Sequence, residues 1–462
     1  MVALSLILAA AAPRNLAIVD VNVIDVRAGA VRNHQTILTS LDRIVWVGDA
    51  KKARIPRGTT RIDGRGRYAI PGLWDMHAHA FDRDSMALFT ANGVTGARIM
   101  FGNPSHLAWR KAFDTGSAIG PRLRVGSPII DGPQPIWPGS ITVGNAEQGR
   151  AAIEGLVGKG YDFAKVYSLL PREGYFAIVE TAKKLGMPFE GHVPNSIDPS
   201  EASEAGQRTI EHLTRVAWEC SGREPEVRRF AAENTPAGTL KARALVVDSY
   251  DPRRAEGLYA TFKKNETWQC PTLTVLRAMA FLDQEAFRAD PRVKYVNPLF
   301  RASWDPTKDF RLKARTPEDW AVAKRAYRQS LRIVGEMHQA GVPLLAGTDC
   351  GNPFCFAGFS LHDELGLLVQ AGLSPAAALR TATLNPAQYL GQTSTMGTLE
   401  VGRVADVVLL DRNPLANIDA TQKIRVVVQR GRLFDRKALD RILAQTEVKP
   451  LTAPPSGGFC DH

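Results

Sequence analysis

Between residues 68 and 394, short apolar runs alternate with longer amphipathic stretches, and the runs fall at 72–79, 93–99, 122–130, 163–167, 188–193, 209–213, 267–275 and 343–349. Strands separated by helical stretches cannot pair as tight hairpins; each crossover returns the chain to a parallel neighbour. Eight such units predict an α/β fold, a (β/α)8 TIM barrel, whose chemistry collects at the carboxyl ends of the strands. A doubly wound sheet is the alternative topology, but the sequence has no Gly-rich dinucleotide loop to support it. The flanks read differently. Runs such as Ala17-Ile18-Val19-Asp20-Val21-Asn22-Val23 and Arg43-Ile44-Val45-Trp46-Val47, and later Ala405-Asp406-Val407-Val408-Leu409-Leu410 and Arg425-Val426-Val427-Val428, are strands without intervening helices. Each set lacks a partner alone, so 14–67 and 395–440 are expected to form one small β-sandwich domain beside a barrel domain at 68–394.

Composition narrows the classes further. Hydrophobic residues make up 44% and charged residues 23% of the 462-residue chain, with no low-complexity tract, which excludes a disordered or fibrous protein. The net charge is +11, yet Lys and Arg are interspersed with acidic residues and form no stripe with interleaved aromatics. That pattern points to a bland basic surface with some preference for anionic small substrates, with no nucleic-acid partner and no stable membrane association. Residues 1–13 end in Ala9-Ala10-Ala11-Ala12, too short for a membrane span and similar to the end of a secretory signal. Without a basic n-region, an ordinary first strand or a start placed inside a longer signal fits equally well. A signal remnant implies a periplasmic or secreted protein; otherwise the expectation is cytoplasmic. Cys220, Cys270, Cys350, Cys355 and Cys460 make no zinc-finger spacing. Cys350 and Cys355 are near enough to pair in an oxidising compartment, and a free buried thiol suits each as well.

The conspicuous polar residues fall at the ends of the eight runs. The first ends in His77-Ala78-His79, where alternation turns both imidazoles to one face and one metal ion could take both. A lone His-x-His is often structural, so its weight comes from its companions: His192 closes the fifth run, His212 the sixth and Asp349 the eighth. Four of nine histidines therefore sit at converging positions. Lys165 lies inside Phe163-Ala164-Lys165-Val166-Tyr167, where a barrel-facing amine is costly unless paired or modified. An isolated strand lysine more often points outward or meets a carboxylate. Beside this histidine set, a desolvated amine can instead capture carbon dioxide, and the carbamate is a carboxylate-like bridge between two cations.

Further motifs complete the pattern: Ala69-Ile70-Pro71-Gly72-Leu73-Trp74-Asp75-Met76-His77-Ala78-His79, Leu344-Leu345-Ala346-Gly347-Thr348-Asp349, Ala382-Thr383-Leu384-Asn385-Pro386-Ala387, and Gly397-Thr398-Leu399-Glu400-Val401-Gly402-Arg403-Val404-Ala405-Asp406. On these the chain, over nearly its whole length, resembles the amidohydrolase superfamily, in particular imidazolonepropionase-like and prolidase-like members of the Xaa-Pro or Xaa-Arg dipeptidase type. The resemblance implies a more buried metal held by His77, His79 and Asp349, a more exposed one held by His192 and His212, and carboxylated Lys165 bridging them. Zinc suits mixed imidazole and carboxylate ligation, although cobalt, manganese or iron also fit. The deaminase branch of the family uses one metal and lacks a lysine at the end of strand four, so Lys165 argues for a binuclear hydrolase.

The activity so implied is hydrolysis of an amide or peptide bond in a dipeptide or N-acyl amino acid. Two divalent metal ions share one water as a bridging hydroxide, and Asp349 acts as general base and then general acid toward the departing amine. The same ligands serve a cyclic-amide, ester or lactone hydrolase. A non-catalytic scaffold is the reading from another class, and retention of all six ligands argues against it. Tyr167, two residues beyond Lys165 on the same strand face, is a candidate contact for the substrate carbonyl or carboxylate, or else a packed tyrosine. Arg98 is a candidate substrate contact by resemblance, although Ile99 follows it where relatives carry Asp. His106, in a loop, and His338, on a helix, are expected to be solvated; His362, opening the helix after the last strand, is expected to cap or support. The segment 277–317, rich in aromatic residues, is expected to be a lid or specificity region, or to pack on a neighbouring subunit. A small-molecule or short-peptide substrate and a homo-oligomer complete the expectations.

Overall fold

The computed structural model describes residues 14–233 and 235–448, so the signal-peptide reading of residues 1–13 and Cys460 both lie outside the described residues. Its strands are β1 (Leu16–Asp25), β2 (Ala30–Ser40), β3 (Arg43–Asp49), β4 (Thr60–Asp63), β5 (Tyr68–Pro71), β6 (Leu73–Ala78), β7 (Val94–Ile99), β8 (Arg122–Asp131), β9 (Ile141–Thr142), β10 (Phe163–Val166), β11 (Phe189–Gly191), β12 (Thr209–Glu211), β13 (Trp268–Cys270), β14 (Val407–Leu410), β15 (Ile424–Gln429) and β16 (Arg432–Asp435). One sheet has the order β16-β15-β14-β5-β1-β2-β3, with β4 beside β1. Residues far apart in the chain meet in it, β14 pairing antiparallel with β5 so that Val408 faces Ile70. Its apolar face buries Ile18, Val21, Ile37, Leu409 and Val428 as a core of its own.

The second sheet is parallel and curls in the order β13-β12-β11-β10-β8-β7-β6, with β9 beside β8. Strands such as β10 are buried at every position, as expected of a parallel strand covered on both faces. The helices between them are amphipathic and capped by their own sequence: Arg172–Leu185 stops at Gly186 in the left-handed region (φ 67°), and Pro317–Ala340 opens on a Thr316/Asp319 capping box.

Between β13 and β6 the extended segment 343–349 closes the barrel without a continuous ladder. Gln269 N donates to Pro343 O (2.9 Å), Leu345 N to Gln269 O (2.9 Å), Met76 N to Ala346 O (2.8 Å) and Asp349 N to His77 O (2.7 Å). Gly347 permits this approach, because a Cβ there would stand 2.5 Å from Cys270 Sγ and 2.7 Å from His77 Cβ. The expected strand at 267–275 is a correction: only Trp268–Cys270 is strand, Thr272 turns the chain in the left-handed region (φ 47°), and a helix runs from Leu273 to Phe281. The fifth and sixth strands are also shorter than expected, so His192 and His212 sit just past their ends. Among the described residues no helix is long and apolar enough to cross a membrane.

Candidate metal centre

A cavity of about 530 Å³ opens at the carboxyl ends of the barrel strands, and His77, His79, Lys165, Tyr167, His192, His212 and Asp349 all line it. Strand alternation brings His77 and His79 to the same side of the barrel mouth. Asp349 Oδ1 stands 2.9 Å from His79 Nε2 and 3.4 Å from His77 Nε2, and Oδ2 stands 3.8 Å from His212 Nε2. The rings of His77 and His212 lie 4.5 Å apart and those of His192 and His212 4.9 Å apart, centre to centre. His212 and Asp349 both sit in the left-handed backbone region (φ 58° and 55°), a strained placement for non-glycine residues that turns their side chains toward the cavity.

The neighbours of these imidazoles decide which nitrogen is free. His77 Nδ1–H donates to Glu211 Oε2 (2.6 Å), which selects the tautomer whose bare nitrogen is Nε2. Thr272 Oγ1 donates its own proton to Pro271 O, so His212 Nδ1–H donates to Thr272 (2.6 Å) and again Nε2 is the bare nitrogen. His192 Nδ1 meets Ser168 Oγ at 2.9 Å, and its ring stacks on Tyr167 at 3.9 Å. Among the buried polar atoms left without a hydrogen-bond partner, His77 Nε2 and Lys165 Nζ belong to residues that line this cavity. The ligand atoms offered by His77, His212 and Asp349 all lie within 4.8 Å of one another. Imidazole and carboxylate atoms gathered around one cavity are the donor set a divalent cation takes. A second group, His77, Glu211 and Cys270, lies behind His77, where Arg98 already pairs Glu211 and burial holds the Cys270 thiol well above its usual range.

The electrostatics prepare these groups as ligands. Burial lowers His79, takes His192 well below the usual histidine range and brings His212 to about 3, so all three are neutral near pH 7. Burial also brings the Lys165 amine down to about 8, within reach of the neutral form that reacts with carbon dioxide. Burial works against the charge of Asp349, but His212 and His77 beside it hold the carboxyl well below its ordinary range.

Arg98 is placed elsewhere than a substrate contact requires. It is 0% exposed beneath the cavity, where Nε donates to Met76 O (2.6 Å), Nη1 to Glu190 Oε2 (2.5 Å) and Nη2 to Glu211 Oε1 (2.8 Å). A chain of contacts therefore runs from Arg98 through Glu211 to His77. Glu190 and Glu211 were findable by the signal that singled out Lys165, a charged residue inside a short apolar strand. Gly191 is fixed by the same crowding: its φ is 139°, and a Cβ there would stand 2.2 Å from Val166 O.

Two other histidines, His106 and His362, support structure. His106 is buried, a correction to the solvated loop expected: it belongs to the helix Pro104–Thr115, caps it by accepting from Asn103 N (3.1 Å) and donates to Ala80 O (2.9 Å). His362 is buried in the helix Phe359–Gln370, bonded to Asn92 O and Thr421 Oγ1 at 3.0 Å each. His338 lies on Pro317–Ala340, near its carboxyl end. Cys220, Cys270, Cys350 and Cys355 are free and buried, so Cys350 and Cys355 form no disulfide. The segment after residue 281 folds as short turns of helix and sends Phe300, Trp304, Phe310 and Arg311 into the cavity wall.

The amidohydrolase family model matches residues 68–433. The chain is similar to the imidazolonepropionase of Paenarthrobacter aurescens (strain TC1), 25% identical over 386 residues that cover 80% of this chain and 84% of that enzyme. Among solved structures it is similar to a bottromycin amidohydrolase, with a TM-score of 0.76, 26% identity and coverage of 94% of this chain and 90% of that one. It shares its fold with a Xaa-Pro dipeptidase solved with methionine in the active site (TM-score 0.66, 18% identity, 91% of this chain and 100% of that one). With the match spanning the barrel and most of the strands that follow it, the chain belongs to the amidohydrolase family and is a hydrolase acting on carbon–nitrogen bonds.

Proposed function

We propose that the cavity is a binuclear metal centre that hydrolyses the amide or peptide bond of a dipeptide or an N-acyl amino acid. The observation that carries this reading is the convergence of His77, His79, Lys165, His192, His212 and Asp349 on one cavity. His77, His79 and Asp349 would hold one cation and His192 and His212 a second, with Lys165, once carboxylated, offering a carboxylate to both, and zinc is the cation best suited to these donors. Bound cations would supply a water of lowered pKa and polarise the scissile carbonyl. The protein supplies the rest. Glu211 and Thr272 fix the tautomers of His77 and His212. Asp349, held ionised, accepts the proton of the attacking water at Oδ2 and returns it to the leaving nitrogen. Tyr167, whose Oη accepts from Trp137 Nε1 (2.8 Å), keeps its own O–H to donate to the substrate. The terminal segments, 14–67 with 395–440, serve with the paired strand β5 as the sandwich domain and the rest of 68–394 as the catalytic domain, in a homo-oligomer acting on small molecules or short peptides.

Opening of a cyclic amide is the second reading, favoured by the likeness to an imidazolonepropionase. Purified protein screened against dipeptides, N-acyl amino acids, cyclic amides and lactones, with and without chelator, separates the two. Chelator-sensitive release of an amine from the linear amides supports the first; turnover confined to rings moves the assignment to the second, and turnover of none removes both.

A further inference from the structure

The cavity wall carries a cation that none of the six proposed ligands accounts for. Arg311, from the segment that covers the cavity, lines it, and its side chain is 29% exposed. Its guanidinium is fixed on one side: Nε and Nη2 donate to Asp309 (3.0 and 2.6 Å), and Nη1 donates to Asn352 Oδ1 (3.0 Å). A guanidinium has five N–H groups, so one on Nη1 and one on Nη2 stay uncommitted. Asp309, 7% exposed, is held ionised below its ordinary range against the opposing effect of burial. It locks the orientation of Arg311 and cancels its net charge locally, so what Arg311 offers the cavity is directed donors. The Trp137 ring lies 5.9 Å from the guanidinium carbon and its Nε1–H holds the Tyr167 oxygen, which makes Arg311, Trp137 and Tyr167 one stretch of wall with N–H and O–H donors to spare.

The rest of that mouth is apolar. Phe300 of the covering segment packs on Phe81 at 4.8 Å, and Phe310 meets Trp137 at 5.9 Å, ring centre to ring centre. Phe81 and Phe310 are nonetheless 63% and 59% exposed, so aromatic surface is left open at the entrance. Oriented donors whose neighbouring carboxylate, Asp309, is already engaged by Arg311 favour a planar anion over an ammonium, and the rings favour an apolar body.

We propose that Arg311 is a specificity-determining residue that reads the free carboxylate of a substrate whose apolar side chain or acyl group is held by the aromatic mouth. The inference rests on the amide-hydrolysis reading for what is cleaved, but the binding it asserts is measurable without turnover. Lys308 also lines the cavity, yet it is 67% exposed and stands 3.9 Å from Asp305, so it is the control cation.

The test uses the metal-loaded enzyme and two compounds that it cannot hydrolyse, 3-phenylpropionate and its neutral methyl-ketone counterpart 4-phenylbutan-2-one, with binding read from tryptophan fluorescence, since Trp137 and Trp304 line the cavity. Wild type is expected to bind the acid more tightly than the ketone. In Arg311→Met the acid weakens by about 10- to 100-fold, the measure of a lost charge-assisted hydrogen bond, while the ketone is unchanged. Arg311→Lys, which keeps the charge if the methionine variant fails to fold, loses part of the preference, and Lys308→Ala keeps it. Equal binding of acid and ketone by wild type, binding of neither, an acid preference that survives in both Arg311 variants because the metals alone hold the carboxylate, or its loss in Lys308→Ala each overturns the proposal. Hydrolysis assays on the same proteins keep the two readings apart. Arg311-dependent acid binding with no amide cleaved sinks the amide reading alone, and amide cleavage indifferent to a substrate carboxylate sinks the Arg311 assignment alone.

Discussion

Replacing Arg98 by methionine removes the only cation that two buried carboxylates share beneath the cavity among the described residues. Met fills much of the space, so the cost is electrostatic rather than one of cavity formation. Glu190 is 2% and Glu211 0% exposed, and Arg98 contacts them at 2.5 and 2.8 Å. Removing one partner of a buried ion pair typically costs about 3–5 kcal/mol, because the partner is left charged without compensation. Glu190 keeps Arg208, 3.9 Å away, whereas Glu211 loses its guanidinium and is pushed toward taking up a proton. If Glu211 does so, its bond to His77 Nδ1 no longer enforces the tautomer that bares Nε2, and loss of such an orienting partner lowers metal affinity by about 10- to 100-fold. Arg98→Lys keeps a charge but cannot reach Met76 O, Glu190 and Glu211 together, so it should fall between. The assay is urea unfolding of chelated protein for stability, paired with zinc affinity from competition with a chromogenic chelator. A methionine variant within about 0.5 kcal/mol of wild type, with unchanged zinc affinity, refutes the reasoning, since ordinary surface substitutions cost as much.

Lys165→Ala should lose bound metal and turnover together, and propionate or another short carboxylate should restore both by taking the place of the carbamate; metal analysis with and without the acid reads it, and an alanine variant that keeps its metal contradicts the bridge. His362 is brought down to about 4 from an ordinary 6.5, first by burial, against the bond to Asn92 O. Its neutral form therefore stabilises the fold above pH 6.5, and that contribution, about 3 kcal/mol, is lost as pH falls from 6.5 through 4. His362→Asn should show a shallower loss of stability than wild type between pH 7 and 4.5, and parallel curves would remove this residue from the account. Cleavage of the segment between Glu285 and Leu312 by a nonspecific protease should slow when 3-phenylpropionate fills the cavity, and an unchanged rate would argue against its covering role.

Much of the polar lining of the cavity was legible because barrel geometry converts sequence position into place. A strand end is a site position, so His77, His79, His192, His212 and Asp349 could be assembled from spacing, and Lys165 from the improbability of an amine in an apolar strand. What was not legible depends on side chains meeting across the barrel. Arg98 read as a substrate contact by resemblance, but its side chain turns beneath the cavity, where Glu190 and Glu211 on neighbouring strands are aligned to receive it. His106 read as solvated because a cap between Asn103 and its own helix is a local matter of angles that composition does not encode. The run at 267–275 broke early because Pro271 and a left-handed Thr272 end the strand, and no periodicity in so short an apolar run separates strand from helix. Arg311 lay in a segment expected to shape access to the site or to pack on a neighbour, and nothing in the sequence singled out its individual side chains.

The binuclear centre is the claim on which the rest depends, and metal stoichiometry tests it most directly. Protein stripped with chelator, reconstituted with zinc in the presence of bicarbonate and freed of excess metal is predicted to hold two equivalents per chain, with one retained in a variant lacking His192 and His212. Fewer than one equivalent in the wild-type protein, or two retained by that variant, contradicts it.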